Sequence, residues 1–290
     1  MKKLSKVKAT KSCIIFACTI LTEHMLFVLK EFLDEFEKNF ADSDIYVGIN
    51  PGSIESVEIL LNESNLNIVA VGRASSELYT LSDASAYQVA LKLLKESGRI
   101  YDTGWFIHTK GGVNSHSSYL RKWYIDNLLA DRNHIETFLS DNTDIGSYGL
   151  LGLEYNTNRS YSETDTQVPL FKNTLSEELP HTHVNFFYIH SLYVIRGEVL
   201  NKFFSLTTDE WFQSKLDRYY FEGVFPFIVS RSGYFPYISN RRSMNGVDLL
   251  NIHSSWISEN NLLSYRKYAD MYRTDYNFHQ LYPPYVSSNT

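Results

Sequence analysis

A mostly parallel β-sheet with helices on both faces is the architecture this sequence predicts. Across the first 110 residues, four short apolar runs alternate with segments of helical periodicity. Each run ends in a small or polar turn sequence, the pattern of a buried strand feeding a crossover helix. A chain of 290 residues, 43% hydrophobic and 21% charged, is long and apolar enough to bury a sizeable core and is not a disordered one.

The elements follow in order. Residues 13–20 read as the first strand, rich in Ile and Phe. The lysine-rich start and this short apolar run also match the beginning of a signal peptide. However, no small-x-small cleavage site closes the run, and it is far shorter than the roughly 20 residues that span a bilayer. The strand reading is preferred because the alternation requires it, and it makes Cys13 and Cys18 reduced core residues of a cytoplasmic protein. Thr22 can cap a helix with Met25, Leu26, Leu29, Phe32, Leu33 and Phe36 on one face. The second strand is 45–49, Asn50-Pro51-Gly52 a turn, and Ser53 a cap for helix 54–64. The third strand is 67–71, ending at Gly72-Arg73. Ser82 or Asp83 caps helix 84–97, and Gly98 stops it. The fourth strand, 105–108, ends in Thr109-Lys110-Gly111-Gly112.

The second half is less regular. Helices are expected at 117–129, 131–140, 196–205 and 208–221, with Pro226 ending or kinking the continuation. Strands are expected at 148–153, within the long apolar run 183–195, and at 234–238, with a polar loop over 156–168. No repeat or linker divides the chain. A single domain, 1–290, is expected, with residues 241–290 wrapping its surface.

Charge and motifs narrow the chemistry. Twenty-seven basic against 33 acidic residues give −6, which removes the electrostatic footprint of a general nucleic-acid binder. Two cysteines make neither a disulfide framework nor a zinc site by themselves, and no further segment is long and apolar enough to cross a membrane. The 21 Tyr, 18 Phe and 4 Trp fit either ordinary core packing or the half-wet grooves that hold sugars.

Parallel sheets bind ligands at the carboxyl ends of their strands, which selects the loops around Thr19, Asn50, Arg73 and 108–112. Lys110 places a point charge at the mouth of the sheet, and Gly111 permits close backbone approach; the plainer reading is a solvated lysine in a Gly-rich turn. Arg73 can grip a diphosphate with its fork. Asp83 can accept from a ribose or base, although N-capping is its commoner use. His181 and His183 share a strand face at a spacing seen in metal sites but lack an acidic or cysteine partner; His190 lies in an apolar run that suits a core histidine.

The order of elements, helix 82–91 and the strand ending His108-Thr109-Lys110 resemble a GT-A-type glycosyltransferase. More narrowly, the chain is similar to polysaccharide-building transferases of the rhamnan-synthesis kind and to glycosyltransferases of large algal DNA viruses. The similarity includes the later block 187–196 and the pair Phe221-Glu222, and runs from about residue 12 to 235.

The resemblance implies a GT-A-like, Rossmann-type sheet. A nucleotide-sugar donor (UDP-, GDP- or dTDP-linked) is expected on Thr19, Arg73, Asp83, His108, Thr109, Lys110 and Gly111. Residues 12–115 would form the donor-binding half, and residues 116–240 the acceptor and catalytic half. The implied reaction is sugar transfer to a glycan hydroxyl, with inversion.

Glu222, in an aromatic and apolar setting, is the expected general base. The competing readings of Glu222 are an exposed helix charge and a pair with Arg218. The Asp-x-Asp metal clamp usual in that architecture is missing from the fourth strand. The string Asp42-Ser43-Asp44 lies at the wrong end of the sheet and reads as a turn. Metal dependence is therefore open, and Lys110 and Arg73 are the cations available to stabilise a leaving diphosphate. The same gap supports a glycan-binding or scaffold protein derived from the fold. A phosphotransferase is a further rival, and oligomeric state is left unassigned.

Overall fold

The computed structural model describes residues 10–78, 83–110, 118–150, 152–155, 185–188, 191–216, 220–232 and 234–238. The strands are β1 (Thr10–Cys18), β2 (Asp44–Ile49), β3 (Ile68–Arg73), β4 (Tyr101–His108), β5 (Ile145–Gly149), β6 (Gly152–Tyr155), β7 (Asn185–Tyr188), β8 (Tyr193–Arg196) and β9 (Phe235–Ile238). The helices are α1 (Leu26–Asn39), α2 (Ser56–Glu63), α3 (Ala84–Ser97), α4 (Ser118–Tyr124), α5 (Arg132–Asp141), α6 (Gly197–Leu206) and α7 (Tyr220–Arg231).

Seven strands form one sheet in the order β3-β2-β1-β4-β8-β5-β9. All neighbours are parallel except at β8, which runs against both β4 and β5. β6 and β7 make a separate antiparallel pair.

The period of two along β1 divides the core. Ile14, Phe16 and Cys18 face one helical layer with Phe32 and Phe36 of α1, Val57 of α2 and Ile135 of α5. Cys13, Ile15 and Ala17 face the other, with Tyr87 and Leu91 of α3, Leu200 of α6 and Phe225 of α7. A strand buried on both faces must be apolar throughout, which is why β1 carries no alternation. Both cysteines are free and buried, and burial pushes their thiols up.

α3 lies directly on β2. Any side chain at Gly48 would overlap the Ala86 carbonyl, so only glycine permits this approach. Gly98 ends α3 in the left-handed region at φ 63°.

Several local expectations are corrected. Thr22 does not cap α1; a 3-10 turn, Glu23–Met25, precedes the helix, and the Thr22 hydroxyl meets His24 Nδ1 at 3.0 Å. Ser53 ties loops instead of capping α2: its hydroxyl accepts from the Ile20 N–H at 3.1 Å. The run 183–195 is not one strand, because β7 and β8 belong to different sheets. The expected helix 208–221 is a short 3-10 turn, Glu210–Gln213, and α7 begins at Tyr220. α7 runs through Pro226, because Phe221, Val224, Phe225, Ile228 and Val229 bury one side of it in the core.

Asp42, Ser43 and Asp44 lie at the amino end of the sheet. Asp44 accepts from Arg99 Nη1 at 2.6 Å and from the Tyr101 hydroxyl at 2.7 Å, Ser43 meets Ser12, and Asp42 pairs with Arg132. This polar group, buried at Ser12, Ser43, Asp44 and Arg132, cross-links strands and helices at the end of the sheet remote from the loops selected above. The basic start, Ser82, Gly111, the 156–168 loop, His181, His183, His190, Arg218 and residues 241–290 lie outside the described residues. Among those described, no helix is long and apolar enough to cross a membrane.

Candidate functional site

The strand order locates the site. The chain steps outward from β1 to β2 and β3, then returns to place β4 on the other side of β1. The crevice between the carboxyl ends of β1 and β4 is the topological switch point, where open α/β sheets bind ligands. Thr19 follows β1 and His108 closes β4, so both stand at its lip.

The two strand ends are cross-tied. The Thr109 hydroxyl accepts from the Thr19 N–H at 2.8 Å and donates to the Thr19 carbonyl at 3.2 Å. The Thr109 N–H continues the ladder to the Ala17 carbonyl at 3.1 Å, and the Lys110 N–H turns back on the His108 carbonyl at 2.7 Å. This tight turn carries Lys110 onto the rim. Arg121 of α4, itself buried, donates to the Lys110 carbonyl at 3.3 Å and to Glu31 of α1 at 2.6 Å, so α4 anchors the turn to α1.

Asp83 joins the two strand ends to α3. It occupies the N-cap position, but its side chain makes no cap hydrogen bond. Oδ1 accepts from the Thr19 hydroxyl at 2.8 Å, and Oδ2 lies 2.8 Å from His108 Nδ1. Burial works against its ionisation. His108, Thr19 and the charge of Lys110 together outweigh that and hold the Asp83 carboxyl below the usual carboxylate range. The capping reading of Asp83 is therefore replaced by a cross-link between β1, α3 and β4.

Arg73 has a different partner from the one expected. Its fork closes on Glu58 of α2, with Nε to Oε1 at 2.7 Å and Nη2 to Oε2 at 2.6 Å, while Nη1 donates to the Ser53 carbonyl at 2.6 Å. The guanidinium braces the β2–α2 loop, and among the described residues Lys110 is the cation whose charge reaches Asp83. Asp209, at the N-cap position of the 3-10 turn Glu210–Gln213, makes no cap hydrogen bond and pairs with Lys95 of α3 at 3.3 Å.

Glu222 stands in the first turn of α7 and is partly buried. Its neighbour Phe221 fixes that turn against the site: the ring is 5.1 Å from Tyr87, and its carbonyl accepts from the Tyr193 hydroxyl at 2.5 Å. Tyr87 in turn packs edge-on to His108 at 6.3 Å.

Three residues of the site were not anticipated. The Tyr87 hydroxyl donates to the Ser191 carbonyl at 2.7 Å, and Ser191 holds φ 52°, the left-handed region a serine seldom adopts. Extending the β4–β8 register by two residues sets Ser191 opposite His108. Ser85, in the first turn of α3, is buried, and its hydroxyl has no hydrogen-bond partner among the described residues. A glycine at 191 would have signalled the turn; serine at 85 and 191 carries no such mark in the sequence.

Among the described residues, the switch point presents a single carboxylate, Asp83, which already serves a hydroxyl and an imidazole with a lysine charge beside it, and that set does not make a divalent-cation seat. Among the described residues, no three His, Cys, Asp or Glu side chains gather as a ligand set.

No family model and no curated protein matches the chain. Among solved structures it is similar to core-mannan synthase A from Aspergillus fumigatus in its Mn/GDP form. That match has 11% identity and a TM-score of 0.30, and covers 78% of this chain and 70% of that one. A likeness at that level assigns no activity.

Proposed function

We propose that the chain is a glycosyltransferase that moves a sugar from a nucleotide-sugar donor to a glycan acceptor hydroxyl, with inversion. The observation that carries this reading is the set of polar side chains converging on the β1–β4 switch point, with a lysine at its rim and a helix amino terminus beside it. The resemblance of helix 82–91, His108-Thr109-Lys110 and Phe221-Glu222 to GT-A transferases points the same way.

In this reading the donor diphosphate lies over the strand ends, against Lys110 and the first turn of α3 with its buried Ser85 hydroxyl. Thr19, Thr109 and Asp83 hold the crevice in shape, and Arg73 supports it from the β2–α2 loop. The acceptor oxygen attacks the anomeric carbon from the side opposite the leaving diphosphate, and Glu222 takes its proton. Lys110 stabilises the negative charge that develops on the departing diphosphate. Residues 12–115 hold the donor, residues 116–240 supply the acceptor side, and the protein works in the cytoplasm.

Release of nucleoside diphosphate from UDP-, GDP- and dTDP-sugars in the presence of glycan acceptors tests the reading. One rival has a specific observation in its favour: Thr19 bonds to both Asp83 and Thr109, and Asp83 lies 2.8 Å from His108, a set that also suits a non-catalytic glycan-binding protein that keeps the fold. Glycan binding without nucleotide binding would select it.

A further inference from the structure

His108 and Asp83 form a pair whose geometry goes beyond donor contact. The imidazole Nδ1 faces Asp83 Oδ2 at 2.8 Å, and the ring is almost fully buried. Tyr87 restrains the ring from α3, and the tyrosine is itself anchored to Ser191. A carboxylate at Nδ1 fixes the proton on that nitrogen and stabilises the imidazolium, which makes Nε2 the acid–base atom of the ring. Asp83 suits this task because Thr19 and Lys110 help to keep it ionised.

We propose that His108, oriented by Asp83, gives a proton to the diphosphate as it leaves the sugar. The proposal rests on the sugar-transfer reading. As the bond between the anomeric carbon and the phosphate oxygen breaks, its electron pair stays on that oxygen, and the His108 Nε2 proton moves onto it. The acceptor oxygen forms the new bond to the carbon and loses its own proton to Glu222. Asp83 is a positioning residue that acts through the imidazole. Among the described residues, the titratable groups beside His108 are Asp83 and Tyr87 from α3; Lys110, from the turn after β4, and Cys18 of β1, a neutral thiol, interact with Asp83.

The test measures UDP, GDP and dTDP affinity by calorimetry from about pH 5.5 to 9, where imidazole titrates. Wild type, H108Q and D83N are compared, with kcat and KM for any donor that is turned over. H108Q supplies the titration of the ligand itself as a baseline. Wild-type affinity is expected to fall about tenfold more than that baseline as the pH rises. In D83N the difference from the H108Q baseline shrinks. H108Q loses about 100-fold in kcat with a smaller change in KM. H108N replaces H108Q if melting curves show the latter to be unfolded. Parallel pH profiles for wild type and H108Q, with nucleotide still bound, overturn the role of His108 alone. Absence of UDP, GDP and dTDP binding at every pH overturns it together with the sugar-transfer reading.

Discussion

Thr19 and Thr109 hold each other across the ends of β1 and β4: one hydroxyl, that of Thr109, takes the Thr19 N–H and returns its own proton to the Thr19 carbonyl. Both residues are buried, so water cannot replace the lost partner. Thr109→Val keeps the shape and removes both bonds, leaving a buried N–H unpaired at a cost of about 1–3 kcal/mol. Thr109→Ser keeps the oxygen and loses much less. Urea unfolding of the two variants beside wild type measures the difference.

The first half of the fold was legible because its information is local. β1 announces itself by apolar continuity and α3 by its period and by Gly98, and the rule that strand ends bind ligands selects the candidate crevice. What was not legible depends on contacts distant in sequence. Asp83 looks like a cap until Thr19 and His108 are seen to claim its oxygens from other strands. Arg73 looks like an anion clamp until Glu58, fifteen residues earlier, is seen to fill its fork. The apolar run 183–195 has one hydrophobic pattern, and nothing in it marks the turn at Ser191 that divides β7 from β8. Pro226 argues locally for a helix end, and tertiary packing overrides it.

Gly48 sets how closely α3 approaches β2, and α3 carries Asp83. Gly48→Ala forces a methyl group against the Ala86 carbonyl and the backbone of Ala90. The helix must move, and the expected cost is about 1–3 kcal/mol by analogy with overpacked cores. The displacement also pulls Asp83 away from His108. A lowered melting temperature, together with loss of nucleotide affinity in the folded fraction, is the expected result.

The partition between Arg73 and Lys110 can be tested directly. Arg73 pairs with Glu58 at a partly exposed site, so Arg73→Ala is expected to cost about 1 kcal/mol of stability. It loosens the β2–α2 loop and leaves most nucleotide affinity in place. Lys110→Ala does the reverse, sparing the melting temperature and weakening nucleotide binding. Thermal melts and nucleotide titrations on the same two variants check both halves of the statement.

Asp83 also makes an acid-stability prediction. Its carboxyl lies below the ordinary value in the folded protein, so the folded state binds fewer protons there than the unfolded chain. The resulting stability is complete above the unfolded value, about pH 4, and is lost as the pH falls through the lowered folded value. Asp83→Asn cannot titrate. Its stability deficit relative to wild type is therefore largest at neutral pH and shrinks below about pH 4. Melting temperatures across the acid range read this directly; a deficit that stays constant down to low pH would show that folding does not lower the Asp83 carboxyl.

The most direct measurement of the central claim is a melting-temperature screen of wild type, Lys110→Ala and Glu222→Gln against UDP-, GDP- and dTDP-sugars, with and without manganese. A ligand at a hundred times its dissociation constant stabilises the folded state by about 2.7 kcal/mol, well within reach of the assay. The account predicts a saturable rise with one donor class in wild type, its loss in Lys110→Ala, and its survival in Glu222→Gln with transfer abolished. No rise with any sugar nucleotide under either metal condition, or an unchanged rise in Lys110→Ala, would contradict it.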